Sequence, residues 1–216
     1  MSKERPILFS GAMVRALLAG TKTQTRRICK PAANLSAVIE VPDPLERGQV
    51  YNGSHFGDEE GEVQFACPYG GRGDRLWVRE TWRGIVKTSA PWDDCTTYGV
   101  AHYVPDEDEC RRLEYAATFG EGAKGWRPSI HMPRWASRIT LEITSVRVER
   151  LQDISDADCV AEGCGALASA IGCPMTSAPG ETMPRAMYRA LWESINGPGS
   201  WDANPWVWVV EFRRLP

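Results

Sequence analysis

Leu18-Ala19-Gly20-Thr21-Lys22-Thr23-Gln24-Thr25-Arg26-Arg27 crowds one lysine, three threonines and two arginines into the seven residues after a glycine. The flanks define its shape. Upstream, Ser10 is a good N-cap, because its hydroxyl can accept from an orphan backbone N–H. Met13, Val14, Leu17 and Leu18 give a helix over Ala12–Ala19 one apolar face. Gly20 suits the left-handed position just past that helix. Downstream, Thr23 to Ile28 alternates as a strand does, with Thr23, Thr25 and Arg27 on one face. Lys22 falls at the turn and can lean towards either face.

A second informative stretch is Gly71-Arg72-Gly73-Asp74-Arg75-Leu76-Trp77-Val78-Arg79-Glu80-Thr81-Trp82. A Gly-x-Gly-Asp turn feeds a strand with Leu76, Val78 and Glu80 on one face and Trp77, Arg79 and Thr81 on the other. Glu80 stands on an otherwise apolar face, so it needs a partner; Arg27 and Arg79 are the candidates. Ile139 to Arg150 is a long strand whose alternation slips near Thr144-Ser145, as at a bulge or barrel corner. Ile154–Gly163 is a short helix with a Ser155/Asp158 capping box and a closing glycine. Residues 183–195 form an amphipathic helix, with Pro184 in its first turn. Pro205–Phe212 closes the chain as a strand with Trp206, Trp208, Val210 and Phe212 on one face.

Between these elements, residues 31–70 are rich in Pro, Gly and Asn and read as a loop or hairpin insertion. Residues 84–138 read as a second insertion, ending in a run of arginines interleaved with tryptophans. Residues 165–180 read as flexible. No βα repeat recurs, so the order of elements suits an α+β fold, a small mixed β-barrel with short helices, rather than a doubly wound sheet. The expectation is one domain over residues 1–216, carrying insertions at about 31–70 and 84–138.

The 216 residues are 43% hydrophobic and 25% charged, a globular composition. The net charge of −3 lacks the global basic excess of a non-specific nucleic-acid binder, so any such contact must come from a local patch. Acidic residues cluster at Asp58–Glu62 and Asp106–Glu109, and arginines at 26–27, 72–83 and 127–138. Seven cysteines at irregular spacing, with no Cys-x-x-Cys and only three histidines, argue against a zinc site and for reduced, mostly buried thiols. No apolar signal core follows the N-terminus and no run approaches the roughly 18 apolar residues of a membrane span. A cytoplasmic protein with no membrane contact and no cofactor is expected.

Gly20-x-Lys22-x-x-Thr25-x-Arg27 resembles the N-terminal motif of the ASCH domains, a branch of the PUA-like superfamily. The Gly73-Asp74 turn into Leu76–Glu80, the slipped strand with the Ile154–Gly163 helix, and the last helix with Trp206–Phe212 follow in the same order. Together they cover about half the chain, and the Gly-Asp-x-Leu-Trp-Val-Arg-Glu-Thr-Trp strand is most similar to the longer ASCH proteins of phages and prophages. The resemblance implies a PUA-like barrel. It also implies the activity of some small bacterial members, a metal-independent amidohydrolysis of N4-acetylcytidine. Matched motif to motif, their catalytic residues fall on Lys22, Thr25 and Glu162. Arg26, Arg27, Arg79 and Glu80 are the neighbouring candidates for substrate binding.

The chemistry suits those residue types. A threonine hydroxyl attacks an amide carbonyl only after a base takes its proton. A lysine is such a base only when burial or a neighbouring cation lowers its pKa. Glu162 would then protonate the leaving amine or position water, and Arg27 would hold the oxyanion or the base edge. Two other readings use the same residues: a non-catalytic module binding a modified base or single-stranded nucleic acid, and a ribonuclease. The plainer readings are a solvated strand edge for Lys22, Arg26 and Arg27, a surface position for Glu162, core packing for Trp206 and Trp208, and arginine stems lying on indoles at 126–138.

Overall fold

The computed structural model describes residues 2–45, 50–89, 96–120, 122–165 and 180–216. Their centre is a five-stranded mixed sheet. It is built from β1 (Glu4–Leu8), β2 (Gln24–Ile28), β6 (Arg75–Arg79), β10 (Thr140–Arg150) and β11 (Trp206–Arg214), in the order β1-β6-β10-β11-β2. Only β1 and β6 run parallel; the other three pairings are antiparallel.

Local chemistry explains most boundaries. Helix α1 (Gly11–Leu18) starts where Ser10 Oγ accepts from Met13 N at 3.4 Å. It stops at Gly20, whose φ is +74°. There Gly20 N reaches Leu17 O at 3.1 Å and Thr21 N reaches Ala16 O at 3.0 Å, the paired bonds of a Schellman stop. Helix α3 (Asp156–Ala161) is capped by Ser155 Oγ, which accepts from Asp158 N at 3.1 Å. The slip read near Thr144 is a bulge: Ile143 faces Phe212 and Ser145 faces Glu211, which leaves exposed Thr144 unpaired.

Strand β11 has Val207, Trp208, Val209 and Val210 all fully buried, so both its faces are covered. On one face the first insertion supplies the cover. Its strands β3 (Ile39–Glu40), β4 (His55–Gly57) and β5 (Gln64–Ala66) form a small antiparallel sheet. Phe56 and Phe65 from it pack edge-on against Trp208, with ring centres 5.2 and 5.7 Å away. Helix α4 (Met183–Asn196) adds Tyr188, Leu191 and Trp192 to the same core.

The second insertion is a sheet of its own, β8-β7-β9, from β7 (Trp82–Ser89), β8 (Thr96–Val100) and β9 (Cys110–Tyr115), followed by the short helix α2 (Ala116–Phe119). Guanidinium groups lie over rings here, rather than stems on indoles. Arg138 sits 4.0 Å from the Tyr115 ring centre and Arg83 4.6 Å from that of Trp126.

Two expectations change. No strand pairing joins β1 to β2 among the described residues, so the sheet is open where a closed barrel was expected. Glu80, 1% exposed, is held by neither Arg27 nor Arg79; Arg138 grips it with Nε at 2.8 Å and a second nitrogen at 2.9 Å. Strand alternation shows that Glu80 needs a cation, but the donor lies 58 residues away.

Removing a buried carboxylate from such a fork leaves a guanidinium unpaired. Because Arg138 keeps 26% exposure, Glu80→Ala is expected to cost about 2 kcal/mol, below the ~3–5 of a fully buried pair. Glu142→Ala, which breaks the exposed pair with Arg213, should stay within about 0.5 kcal/mol. Urea unfolding checks both, and equal losses would contradict this assignment.

Candidate functional site

The tight stop of α1 turns Lys22 inward. Its side chain is completely buried, and its three ammonium protons have three acceptors: Gln24 O at 2.8 Å, Glu162 O at 3.0 Å and Glu162 Oε2 at 2.8 Å. Glu162 stands at the C-terminus of α3, so the lysine meets both a carboxylate and the carbonyl end of a helix, which favours a cation. Gly163 permits the approach. Its φ is +79°, and a Cβ there would lie 3.3 Å from both Lys22 Cβ and Ala16 Cβ.

Arg26 completes a buried knot of charge. One terminal nitrogen reaches Glu162 Oε1 at 3.4 Å and the other reaches Asp158 Oδ2 at 3.1 Å. Its Nε meets Glu149 at 3.2 Å, and a second, shorter contact joins the same two side chains. Arg147 braces the outside, bonding Glu149 at 3.0 Å and Asp158 at 3.2 Å and also Glu211. Burial opposes the charge of Arg26, but Glu162 and its other partners outweigh it and its pKa rises. For Lys22 burial prevails: it lowers the pKa from the ordinary 10.5 against the pull of Glu162, with Arg27 and Arg26 pushing the same way. That direction is what a general base requires.

Thr25 and Arg27 lie on the other face of β2. Thr25, 1% exposed, accepts from a terminal nitrogen of Arg27 at 2.9 Å. The same guanidinium donates to Arg26 O at 3.1 Å and, across the gap in the sheet, to Leu8 O at 3.0 Å. The odd carbonyls of β2 face β11, as Thr23 O does in accepting from Phe212 N. The even ones, Gln24 O and Arg26 O, face the open edge, where Lys22 and Arg27 satisfy them. Two cationic side chains thus cap an edge that would otherwise pair with another strand.

A cavity of about 360 Å³ opens between these edges and α4. Arg26, Arg27 and Glu162 give it polar walls, while Phe9, Tyr188 and Trp192 supply aromatic ones. Lys22 and Thr25 lie one layer behind those walls. Phe9 joins the two layers, with Lys22 Nζ 5.7 Å and the Arg27 guanidinium 5.4 Å from its ring centre. Burial raises the Tyr188 pKa well above 10, so its hydroxyl stays protonated. Burial also raises the Cys159 thiol to about 12 and the Cys164 thiol above its ordinary value, so neither cysteine flanking Glu162 is an activated nucleophile.

Lys22, Glu162, Arg26, Thr25 and Arg27 therefore converge, while Arg79 and Glu80 do not line the cavity. Arg79 lies 4.7 Å over the Trp77 ring and Glu80 is bound to Arg138. Arg26, read as a substrate ligand, is engaged by three carboxylates. Sequence reasoning missed the parts that Glu149, Arg147 and Phe9 play, and it read the helix at 183–195 without placing it against the site. The pairing of β10 with β11, and of β11 with β2, brings the first two near Arg26; only the outward charges at 147 and 149 hinted at a partner. No group of three potential metal ligands occurs among the described residues. Comparison with protein-family models, curated proteins and solved structures finds no match. The resemblance to ASCH domains rests on the sequence motifs alone.

The Lys22 shift has a testable sign. Its folded-state pKa lies below its unfolded value, so between the two the unfolded chain binds more protons and stability rises with pH. Relative to Lys22→Met, the wild type should gain stability as pH is raised from neutrality towards 10.5. Denaturant unfolding at neutral and alkaline pH measures the gap. A wild type that loses stability relative to the variant on raising the pH would contradict the lowered pKa.

Proposed function

We propose that the protein is a metal-independent amidohydrolase of the ASCH type, acting in the cytoplasm on N4-acetylcytidine-like modified nucleosides. The observation that carries this reading is the contact of fully buried Lys22 with Glu162 at 2.8 Å, behind a base-sized cavity that Glu162 itself lines. The two residues stand 140 positions apart, and they are two of the three that the ASCH motifs single out. The third, Thr25, lies three residues on, in β2. The open five-stranded sheet, bent at Thr144 and bridged across its gap by Arg27, is read as a PUA-like barrel left unsealed on the side of the cavity. On this reading residues 1–216 are one domain with two insertions.

In the proposed reaction Lys22 acts as its neutral amine. It takes the Thr25 proton as Oγ1 attacks the acetyl carbonyl carbon. Arg27, bonded to Oγ1 at 2.9 Å, would hold the developing oxyanion. Collapse breaks the C–N bond, and the proton passes to the leaving exocyclic amine. Water directed by Glu162 then hydrolyses the threonyl ester, releasing acetate and restoring the hydroxyl. The aromatic walls suit a flat base.

One observation favours a second reading. Lys22 has an acceptor for each of its three protons and Thr25 is 1% exposed, so the same pair also suits a purely structural clasp beneath a modified-base binding site.

Chromatographic assay of N4-acetylcytidine decides between them. The wild type is expected to release cytidine, and Lys22→Ala and Thr25→Ala to lose about 10²-fold or more in kcat/KM with folding retained. Thr25→Ser should keep more activity than Thr25→Ala. No turnover by the wild type would reject the amidohydrolase and favour the binding module.

A further inference from the structure

Among the further cavities of the described surface, two lie beside the second insertion, and a free nucleoside would leave both unused. One of about 220 Å³ is lined by Gly11, Arg15, Thr81 and Trp126, among others. One of about 450 Å³ is lined by His102, Lys124, Trp126, Arg127 and their neighbours. They are consecutive with the first. Thr81 is a wall of both the 360 and the 220 Å³ cavities, and Trp126 is a wall of both the 220 and the 450 Å³ ones. Chain neighbours repeat the link: Ser10 lines the first cavity and Gly11 the second, while Ser129 lines the first and Pro128 the third.

Charge sorts along this path. The arginines of the second insertion that support its packing are neutralised: Arg83 by Glu114, Arg138 by Glu80, Arg134 by Glu4. Those on the path are not. Arg15 gives one bond to Ala117 O at 3.3 Å and Arg127 one to Ala101 O at 3.1 Å. Lys124 is exposed. None of the three meets a carboxylate among the described residues. The acidic turn Asp106–Glu109 contributes no wall to any of the three cavities. In a chain of net charge −3, a row of unpaired cations beside a base-sized pocket is placed for phosphates.

We infer that the second insertion extends the site into a track for single-stranded nucleic acid, with Arg15, Lys124 and Arg127 meeting phosphates while one base enters the 360 Å³ cavity. This rests on the reading of that cavity as a nucleobase site. It makes the natural substrate a modified base within a strand, and it assigns the insertion a purpose. A base can enter the 360 Å³ cavity only once it has left its pair, so a single strand is the fitting form of the substrate.

The test is fluorescence anisotropy of a labelled single-stranded oligoribonucleotide across a salt series, with a deoxy strand and a duplex alongside. The wild type should bind single strands at least about tenfold more tightly than duplex, and the ribo/deoxy comparison identifies the sugar. Neutralising three phosphate contacts in Arg15→Gln/Lys124→Gln/Arg127→Gln should flatten the log–log salt slope by about 2 and weaken binding at least about tenfold. Because Arg127 also bonds Ala101 O, exposed Lys124→Glu alone, expected to weaken binding about threefold or more, guards against a folding artefact. Duplex bound as tightly as single strand, a triple variant with the wild-type salt slope, or a wild type that binds no strand would each overturn the track. Turnover of free N4-acetylcytidine by the wild type judges the amidohydrolase reading separately, so either can fail without the other.

Discussion

An ammonium group with no water around it is stable only if every proton has an acceptor and its charge has a counterion. Lys22 meets both conditions with one partner residue and one strand carbonyl, and much of the structure around it follows. Glu162 must come in from α3, so α3 must pack against the end of α1, and Gly163 must carry no Cβ. Arg26 must balance the far oxygen of Glu162, which in turn brings in Glu149 and Asp158, and Arg147 behind them. A buried pair of this kind is weak evidence for added stability. It is stronger evidence for a site, because a lysine whose pKa is lowered by burial and a carboxylate facing a cavity are what proton transfer needs.

The same side chains manage the sheet's open edge. A sheet whose two ends approach without pairing leaves carbonyls without donors. Lys22 and Arg27 supply them on β2, and Arg27 also reaches Leu8 O on β1. A guanidinium bridges a gap that a ladder would have closed, and the gap is where the cavity opens. Catalytic candidates and edge protection are therefore the same residues.

Elements defined by neighbours in the chain were legible. Ser10, Gly20 and Ser155 mark helix ends through bonds within a few residues, and the slip at Thr144 is visible as broken alternation. Strands of two or three residues in the first insertion were not, because such short pieces carry no period and gain their stability from covering Trp208. The site was half legible. Lys22, Thr25 and Glu162 come from motif matching, and the structure brings Lys22 and Glu162 into contact. Arg26 lines the cavity, but its carboxylate partners were not legible: adjacent strand residues face opposite ways, so Arg26 turns to Glu149, Asp158 and Glu162 while Arg27 turns to Thr25 and Leu8. Glu80's partner and the Arg147–Glu149 brace arise from strand order, which no local pattern encodes.

The claim beneath all of this is that Lys22 and Glu162 form one buried unit. A double-mutant cycle on unfolding free energy, using Lys22→Met, Glu162→Gln and the pair, tests it most directly. The account predicts a coupling of about 2 kcal/mol or more, because each single change strands a buried polar partner and the double change strands neither. Additivity within about 0.5 kcal/mol would contradict the contact, and with it the site.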